Sequence, residues 1–277
     1  MKRILLKVWY YGTFFSGSQE QREKRTVEGE LLRGLIKSKY ITNRQDAIFR
    51  TAARTDAGVH AQDAAFCFNT AEIFYVNRLE TYLPRDMGIT QWAEVPLDFH
   101  PRFEASSKEY RYIYPKNPHT PLNFSLMEEA IHLLEGTHDF RLFSKTDASK
   151  PEQNTILTME KSQVIEYPEY FVFEFRCRAF LWEQIRRTVA FLIKIGRDDL
   201  SKEDLLHKFD PVRIQDPMEK REKACNPEGL TLISLNFSKE LQFHTNLKGN
   251  KRQKEYCEKN IQKLQQKAFS LLQLGWQ

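Results

Sequence analysis

Along this chain the hydrophobic positions switch repeatedly between strand-like runs and helical spacing, and each switch marks an element. Arg3 to Tyr10 reads as a β-strand, broken by Gly12 and followed by a polar, aromatic loop through Gln21. Thr26 suits the N-cap of a helix whose apolar face carries Val27, Leu31, Leu32, Leu35 and Ile36. Ala47 to Arg54 and Ala64 to Phe68 read as strands flanking the segment TDAGVHAQD. A short helix near Ala71 to Tyr82 and a strand near Gly88 to Val95 complete a first unit.

A second unit follows the connector PLDFHPRFEA. Tyr110 to Tyr114 alternates as a strand, and Ser125-Leu-Met-Glu128 has the form of a capping box opening a helix that stops at Gly136. Strands at Ile156 to Tyr167 and Tyr170 to Arg178 join through a tight turn at Pro168-Glu169. Leu181 to Ile195 reads as a helix, Ser201 to Lys208 as a short capped one, and Asp210 to Pro227 as a charged loop. Leu230 to Phe237 is the last strand. The order strand, helix, strand, strand, helix, strand appears in both halves, which predicts an α+β fold of two similar antiparallel sheets. The expected division is 1–98, 99–240 and a C-terminal extension, 241–277. In that extension Cys257, Ile261, Leu264, Ala268 and Leu271 recur at helical spacing, as in an amphipathic helix docked on the body.

Composition narrows the class. Of 277 residues, 41% are apolar and 29% charged, with a formal net charge of +5, the balance of a folded chain with a mild basic excess. Cys67, Cys177, Cys225 and Cys257 are widely spaced without a CxxC pair, which argues against a structural zinc site and for reduced thiols. The apolar stretch near the N-terminus is too short for a signal peptide, and no run reaches the length of a membrane span. The expectation is a cytoplasmic protein without membrane attachment.

Two segments invite chemistry. Gly12-Thr-Phe-Phe-Ser-Gly17-Ser-Gln has the glycine spacing of a phosphate-binding loop, but Ser18 and Gln19 stand where the lysine is needed, so no nucleotide cofactor is expected. Arg54-Thr-Asp-Ala-Gly-Val-His-Ala61 reads locally as a turn, with Asp56 bonding its own backbone and Gly58 supplying an unusual φ. Aspartic proteases are excluded by residue order. A metal site from Asp56, His60 and Asp63 lacks a second carboxylate cluster, and no metal is expected. On the Leu181 to Ile195 helix, Trp182, Ile185, Val189, Leu192 and Ile193 form one apolar stripe, with Arg186 at its edge. An arginine held against a core is costly without a carboxylate, so it is either snorkelling or paired.

The segment RTDAGVHA resembles the signature of the tRNA pseudouridine synthase A (TruA) family, whose nucleophilic aspartate falls on Asp56. In order along the chain, Tyr10-Tyr-Gly-Thr-Phe-Phe-Ser-Gly, Thr26-Val-Glu-Gly and Phe103 to Tyr112 resemble further family blocks. So do Gly136-Thr-His-Asp-Phe140, Phe180 to Arg186 and Glu228-Gly-Leu230, so that the similarity spans Lys2 to Phe237. The family usually has Asp at the position of Tyr11, Trp at that of Ser18 and Gly at that of Ala53.

The resemblance implies RRM/ferredoxin-like halves joined around a central catalytic cleft. It implies a nucleophile at Asp56, an active-site tyrosine at Tyr110 and an arginine partner for the aspartate at Arg186. Leu230 would pack on a flipped uridine, and Arg54 would fill the gap or hold a flanking phosphate. Lys108, Arg22, Arg25 and Arg187, with Lys24 and Arg78, are candidate phosphate contacts, and His60 is read as structural. The implied partner is tRNA, with uridines of the anticodon arm (positions 38–40) as targets, and a homodimer is implied. The reaction is redox-neutral and needs no cofactor. The competing reading from another class is a non-catalytic RNA-binding protein with RRM-like sheets.

Overall fold

The computed structural model describes residues 1–145, 154–216 and 218–274. In chain order it forms β1 (Lys2–Tyr10), α1 (Val27–Lys37), β2 (Arg50–Thr51), β3 (His60–Thr70), α2 (Val76–Glu80), β4 (Met87–Val95) and α3 (Pro101–Glu104). There follow β5 (Ala105–Pro115), α4 (Phe124–His132), β6 (Gly136–Asp139), β7 (Ile156–Glu166), β8 (Tyr170–Cys177) and α5 (Gln184–Gly196). The chain continues with α6 (Lys202–His207), α7 (Pro211–Gln215), β9 (Leu230–Phe237), β10 (His244–Thr245) and α8 (Leu247–Leu274). The fold is α+β.

Two compact units result, and neither is a continuous stretch. The first comprises Met1–Thr55, Asp63–Glu104 and Lys239–Gln277; the second comprises Asp56–Gln62 and Ala105–Ser238. A linear cut at residue 98 does not reproduce them, because the Asp56 loop clusters with the second unit and the C-terminal extension with the first.

In the first unit the strands run β4-β1-β3, with β2 on β3 and β10 on the outer side of β4. Every residue of β1 from Arg3 to Tyr10 is buried, including two cations. Both are satisfied, as burial of charge requires. Arg3 donates to the Phe99 carbonyl at 2.7 Å and to Asn69 Oδ1 at 2.6 Å, and Lys7 meets Asp63 at 2.7 Å. Burial pushes the Lys7 ammonium below its ordinary range, opposed by the Asp63 carboxylate. Thr26 caps α1 as the sequence suggests, accepting from the Gly29 amide at 3.2 Å. Ile36 is the exception on its expected apolar face and lies exposed.

Within the second unit the strands run β9-β5-β8-β7-β6. Without the added edge strand this is the path of the first unit, β4-β1-β3-β2, so the two similar halves expected from the repeated element order are present as the same ββ-pairing scheme. Helices α4 and α5 bury Met127, Ile131, Val189 and Leu192. The N-cap of α4 is Asn123, whose side chain accepts from the Leu126 amide, so the expected Ser125 box gives way to a cap two residues earlier. Trp182 also departs from expectation. It precedes α5, is 42% exposed, and carries Lys145 over its ring at 4.2 Å instead of joining the apolar stripe.

Other differences concern boundaries. The strand expected over Ala47 to Arg54 shrinks to β2, the helix over Ala71 to Tyr82 to α2, and the charged loop after Asp210 contains α7. Among the described residues the C-terminal helix docks by its first turns. Asn246 Nδ2 donates to the Ile89 carbonyl at 2.8 Å, and a Cβ on Gly249 would stand 1.9 Å from that same oxygen, so only glycine fits there. Arg252 Nη1 reaches Glu80 Oε2 at 2.8 Å, and the Tyr256 ring lies 5.7 Å from Trp9 and 5.9 Å from Tyr11. Tyr11, a departure from the family pattern, is thus one of the rings that seat this helix. Beyond that point Cys257, Ile261, Leu264 and Ala268 are exposed, so the expected docked stripe is not buried. The Leu271 side chain and residues 275–277, also part of that expectation, lie outside the described residues.

Glu80 is buried and leans on Arg252, Asn246 and the Ile89 amide. Removing the guanidinium strands a buried carboxylate. Arg252→Ala is therefore expected to cost about 3 kcal/mol in urea unfolding, whereas Lys251→Ala, on an exposed residue of the same turn, stays within about 0.5 kcal/mol of wild type.

Candidate active site

The residues of the TDAGVHA segment from Asp56 onward, together with β5, β9 and α5, belong to the second unit. The segment turns on itself, the Val59 amide donating to the Asp56 carbonyl at 3.2 Å. Gly58 sits at φ +84°, and a Cβ there would meet Pro227 at 3.0 Å. The turn is therefore pressed against the segment leading into β9 by a residue that has no side chain to clash. His60 adds a second tie: its Nε2–H donates to the Glu228 carbonyl at 3.0 Å, and burial pushes the imidazole below its ordinary value. The parallel pairing of His60 with Thr231 and Ala61 with Leu232 completes the attachment.

Helix α5 supplies the counter-charge. Arg186 is 8% exposed, and its Nη2 and Nε donate to Asp56 Oδ2 at 2.7 and 3.2 Å. Both bonds end on one oxygen; Oδ1 accepts none from the described residues. Arg186 Nη1 donates to the Cys225 carbonyl at 2.8 Å, and Glu183 lies 3.5 Å away on its other side. A guanidinium with donors committed to three acceptors has one orientation available. Glu183 itself is held at φ +61°, a left-handed conformation unusual for a glutamate, as it opens the helix. Its carboxylate also takes Arg187 at 2.5 Å and stands 3.9 Å from Lys145.

Strand β5 places the tyrosines. Tyr110 is buried, in register with Phe175 on β8 and Leu232 on β9, and its ring meets Phe180 edge-on at 5.1 Å. Through Leu232 it shares a row with Ala61 of the TDAGVHA segment. Tyr112, two residues on, faces Leu230, and its hydroxyl donates to the Asn226 carbonyl at 2.9 Å. Burial pushes that phenol well above its ordinary range, with the Cys225 thiol adding to the effect. Tyr114 is half-buried.

The structure therefore joins Asp56 to Arg186 and places Tyr110 and Leu230 in the same unit. The basic residues divide differently. Arg54 and Arg22 are exposed. Arg25 is held by Asp86 through two bonds of 2.8 Å, and Arg187 by Glu183 and the Glu222 carbonyl. Lys108 is buried on β5. Asp63 faces Lys7 in the first unit rather than Asp56, and among the described residues no group of three or more His, Cys, Asp or Glu is arranged to hold a metal ion. Sequence reasoning missed Glu183, the Cys225 and Asn226 carbonyls and the hydroxyl of Tyr112. Backbone carbonyls leave no trace in a sequence, and Tyr112 was hidden by its membership of an aromatic row.

Ser18, another departure from the family pattern, is buried in the first unit. Its amide donates to the Thr55 carbonyl at 3.0 Å, and its hydroxyl accepts from the Thr55 amide at 2.8 Å. Tyr10 adds a hydroxyl–hydroxyl bond to Thr55 at 2.7 Å. The residue immediately before Asp56 is thus fixed at both backbone atoms and at its side chain.

Residues 130–238 match the family model described as tRNA pseudouridine synthase. Among curated proteins, the tRNA pseudouridine synthase A of Methanosarcina barkeri is 33% identical over 249 residues, covering 87% of each chain. That of Pyrococcus abyssi is 32% identical over 277 residues, with 97% of each chain covered. The Streptococcus pyogenes protein of the same name is 37% identical over 224 residues, 74% of this chain and 88% of its own. Identity at this level over nearly the full length, on a fold whose TDAGVHA aspartate meets the α5 arginine, means that the chain belongs to the tRNA pseudouridine synthase family and is an isomerase acting on tRNA.

Proposed function

We propose that Asp56 is the nucleophile with which this enzyme isomerises uridine to pseudouridine in the anticodon arm of tRNA. The observation that carries the reading is the one-sided pairing of the carboxylate. Arg186 takes Oδ2 with two donors, which orients the group and leaves Oδ1 to react. The reaction breaks the N1–C1′ bond of uridine, rotates the base and joins C5 to C1′; C5 then loses its proton and N1 takes one up, so that product and substrate are isomers. No electron or phosphoryl donor enters that balance.

Tyr110 serves as the surface on which the uracil stacks and as the group that relays the C5 proton. Leu230 packs against the base from the end of β9. A uridine stacked inside a stem is out of reach of a half-buried carboxylate, so the nucleotide is flipped out, with Arg54 holding a flanking phosphate. Arg22, Arg25, Arg187 and Lys108 contribute positive charge along the RNA path. Arg25, Arg187 and Lys108 do so from fixed or buried positions, where they shape the potential more than they touch phosphate. The working assembly is a homodimer in the cytoplasm, where tRNA is processed.

Release of tritium from tRNA labelled at uridine C5 tests the nucleophile directly. Asp56→Asn is expected to lower the release rate by on the order of a thousandfold or more, with tRNA still bound. EDTA is expected to leave the wild-type rate unchanged. Equal release by the two proteins contradicts the assignment, and binding without release by wild type would return the non-catalytic RNA-binding reading.

Tyr112 and Tyr110 separate support from chemistry. Tyr112→Phe deletes one hydrogen bond and is expected to cost about 1 kcal/mol of stability, with turnover reduced less than tenfold. Tyr110→Phe keeps the ring and removes the proton relay, so its expected signature is a fall in kcat with little change in KM. Rapid-quench kinetics alongside urea unfolding distinguishes the two.

A further inference from the structure

The C-terminal helix is tied to the first unit by its first turns and then runs on with every residue from 261 to 268 exposed. Its charge is unusual. From residue 247 onward there are seven lysines and arginines against two glutamates, a net charge of +5, equal to that of the whole chain. Residues 1–246 are therefore formally neutral, and the basic excess belongs to this one element.

Within the helix the charges are sorted by face. Lys251 pairs with Glu255 and Lys254 with Glu258, each four residues apart, which uses both acids. Arg252 is consumed by Glu80. Of the four that remain, Lys248 acts on the buried Glu80 at the docked end, and Lys259, Lys263 and Lys267 have no ion-pair partner among the described residues. They follow Arg252, Tyr256 and Asn260 by seven residues each, two turns within about 20° of the same side. The face that grips the body in the first turns thus continues as a ladder of lysines spaced about 6 Å apart. Like charges four residues apart destabilise an isolated helix. Such a ladder is stabilised by a polyanion laid along it.

We propose that the Lys259-Lys263-Lys267 face of α8 is a binding surface for the phosphate backbone of the tRNA substrate, outside the catalytic unit. This rests on the proposed function for the identity of the polyanion. Phosphate binding fits the observations better than a second protein copy does. Among the described residues the exposed apolar stripe on the same stretch offers two large side chains, Ile261 and Leu264, 54% and 55% exposed, whereas the charges are sorted from Lys251 through Lys267.

The test compares wild type with the triple variant Lys259→Gln/Lys263→Gln/Lys267→Gln and with a control, Lys251→Gln/Lys254→Gln. The readouts are tRNA binding across a salt series, steady-state label release, helix content by circular dichroism and mass by light scattering. The triple variant is expected to keep its helix content and mass and its kcat. Its KM should rise about tenfold, and the slope of log affinity against log salt should fall by about 2, near the loss of three phosphate contacts. The control should retain a slope near that of wild type.

An unchanged slope and KM in the triple variant overturns the proposal. An equal fall in triple variant and control also overturns it, because net charge and not the ladder is then responsible. Weakened binding together with a change in mass assigns the face to contact between copies and overturns it as well. Absence of label release by wild type itself sinks the proposed function, while the salt slopes still decide whether this face binds RNA.

Discussion

The site depends on one arginine kept out of water. Arg186 lies against the apolar interior of the second unit, where a guanidinium is costly unless its donors are all engaged. Its engagement with Asp56, with the Cys225 carbonyl and near Glu183 compensates that cost and fixes the direction of the carboxylate. Everything around the pair serves to bring the two residues, 130 positions apart in sequence, to the same point. The Gly58 turn packs on Pro227, the His60 bond anchors the loop to the start of β9, and Tyr112 holds the segment that carries Cys225 and Asn226.

That arrangement explains why the segment Asp56–Gln62, which leads from β2 into β3, belongs to the second unit. The segment pairs in parallel with β9 through His60 and Ala61 and groups with the second unit, while β3 from Asp63 onward groups with the first. Asp56, Arg186 and Tyr110 consequently ride on one compact body. A site whose members share a body keeps its internal distances through any motion of the rest of the chain.

Much of this was legible beforehand, and the parts that were not share a physical reason. Long periodic elements such as α5 and the β7–β8 hairpin declared themselves through burial patterning, and the cap at Thr26 through hydrogen-bonding chemistry. Asp56 and Tyr110 came from resemblance, because a turn and an aromatic strand read locally as structure. Arg186 was found on both grounds, as a charge out of place on an apolar stripe. Trp182 was misplaced because helical spacing does not reveal where a helix begins, and Glu183 adopts a left-handed backbone there. The C-terminal stripe failed differently: periodicity shows that a helix has an apolar side, not that anything covers it. The Tyr11 and Ser18 departures find local partners, Tyr256 and Thr55, that no single-position comparison would suggest.

A double-mutant cycle on the ion pair tests the central physical claim most directly. Unfolding free energies would be measured for wild type, Asp56→Asn, Arg186→Met and the double variant. The account predicts strong coupling, with the double variant less destabilised than the sum of the single variants by about 1 to 3 kcal/mol. Additivity within about 0.5 kcal/mol would contradict it, showing that the arginine does not hold the carboxylate.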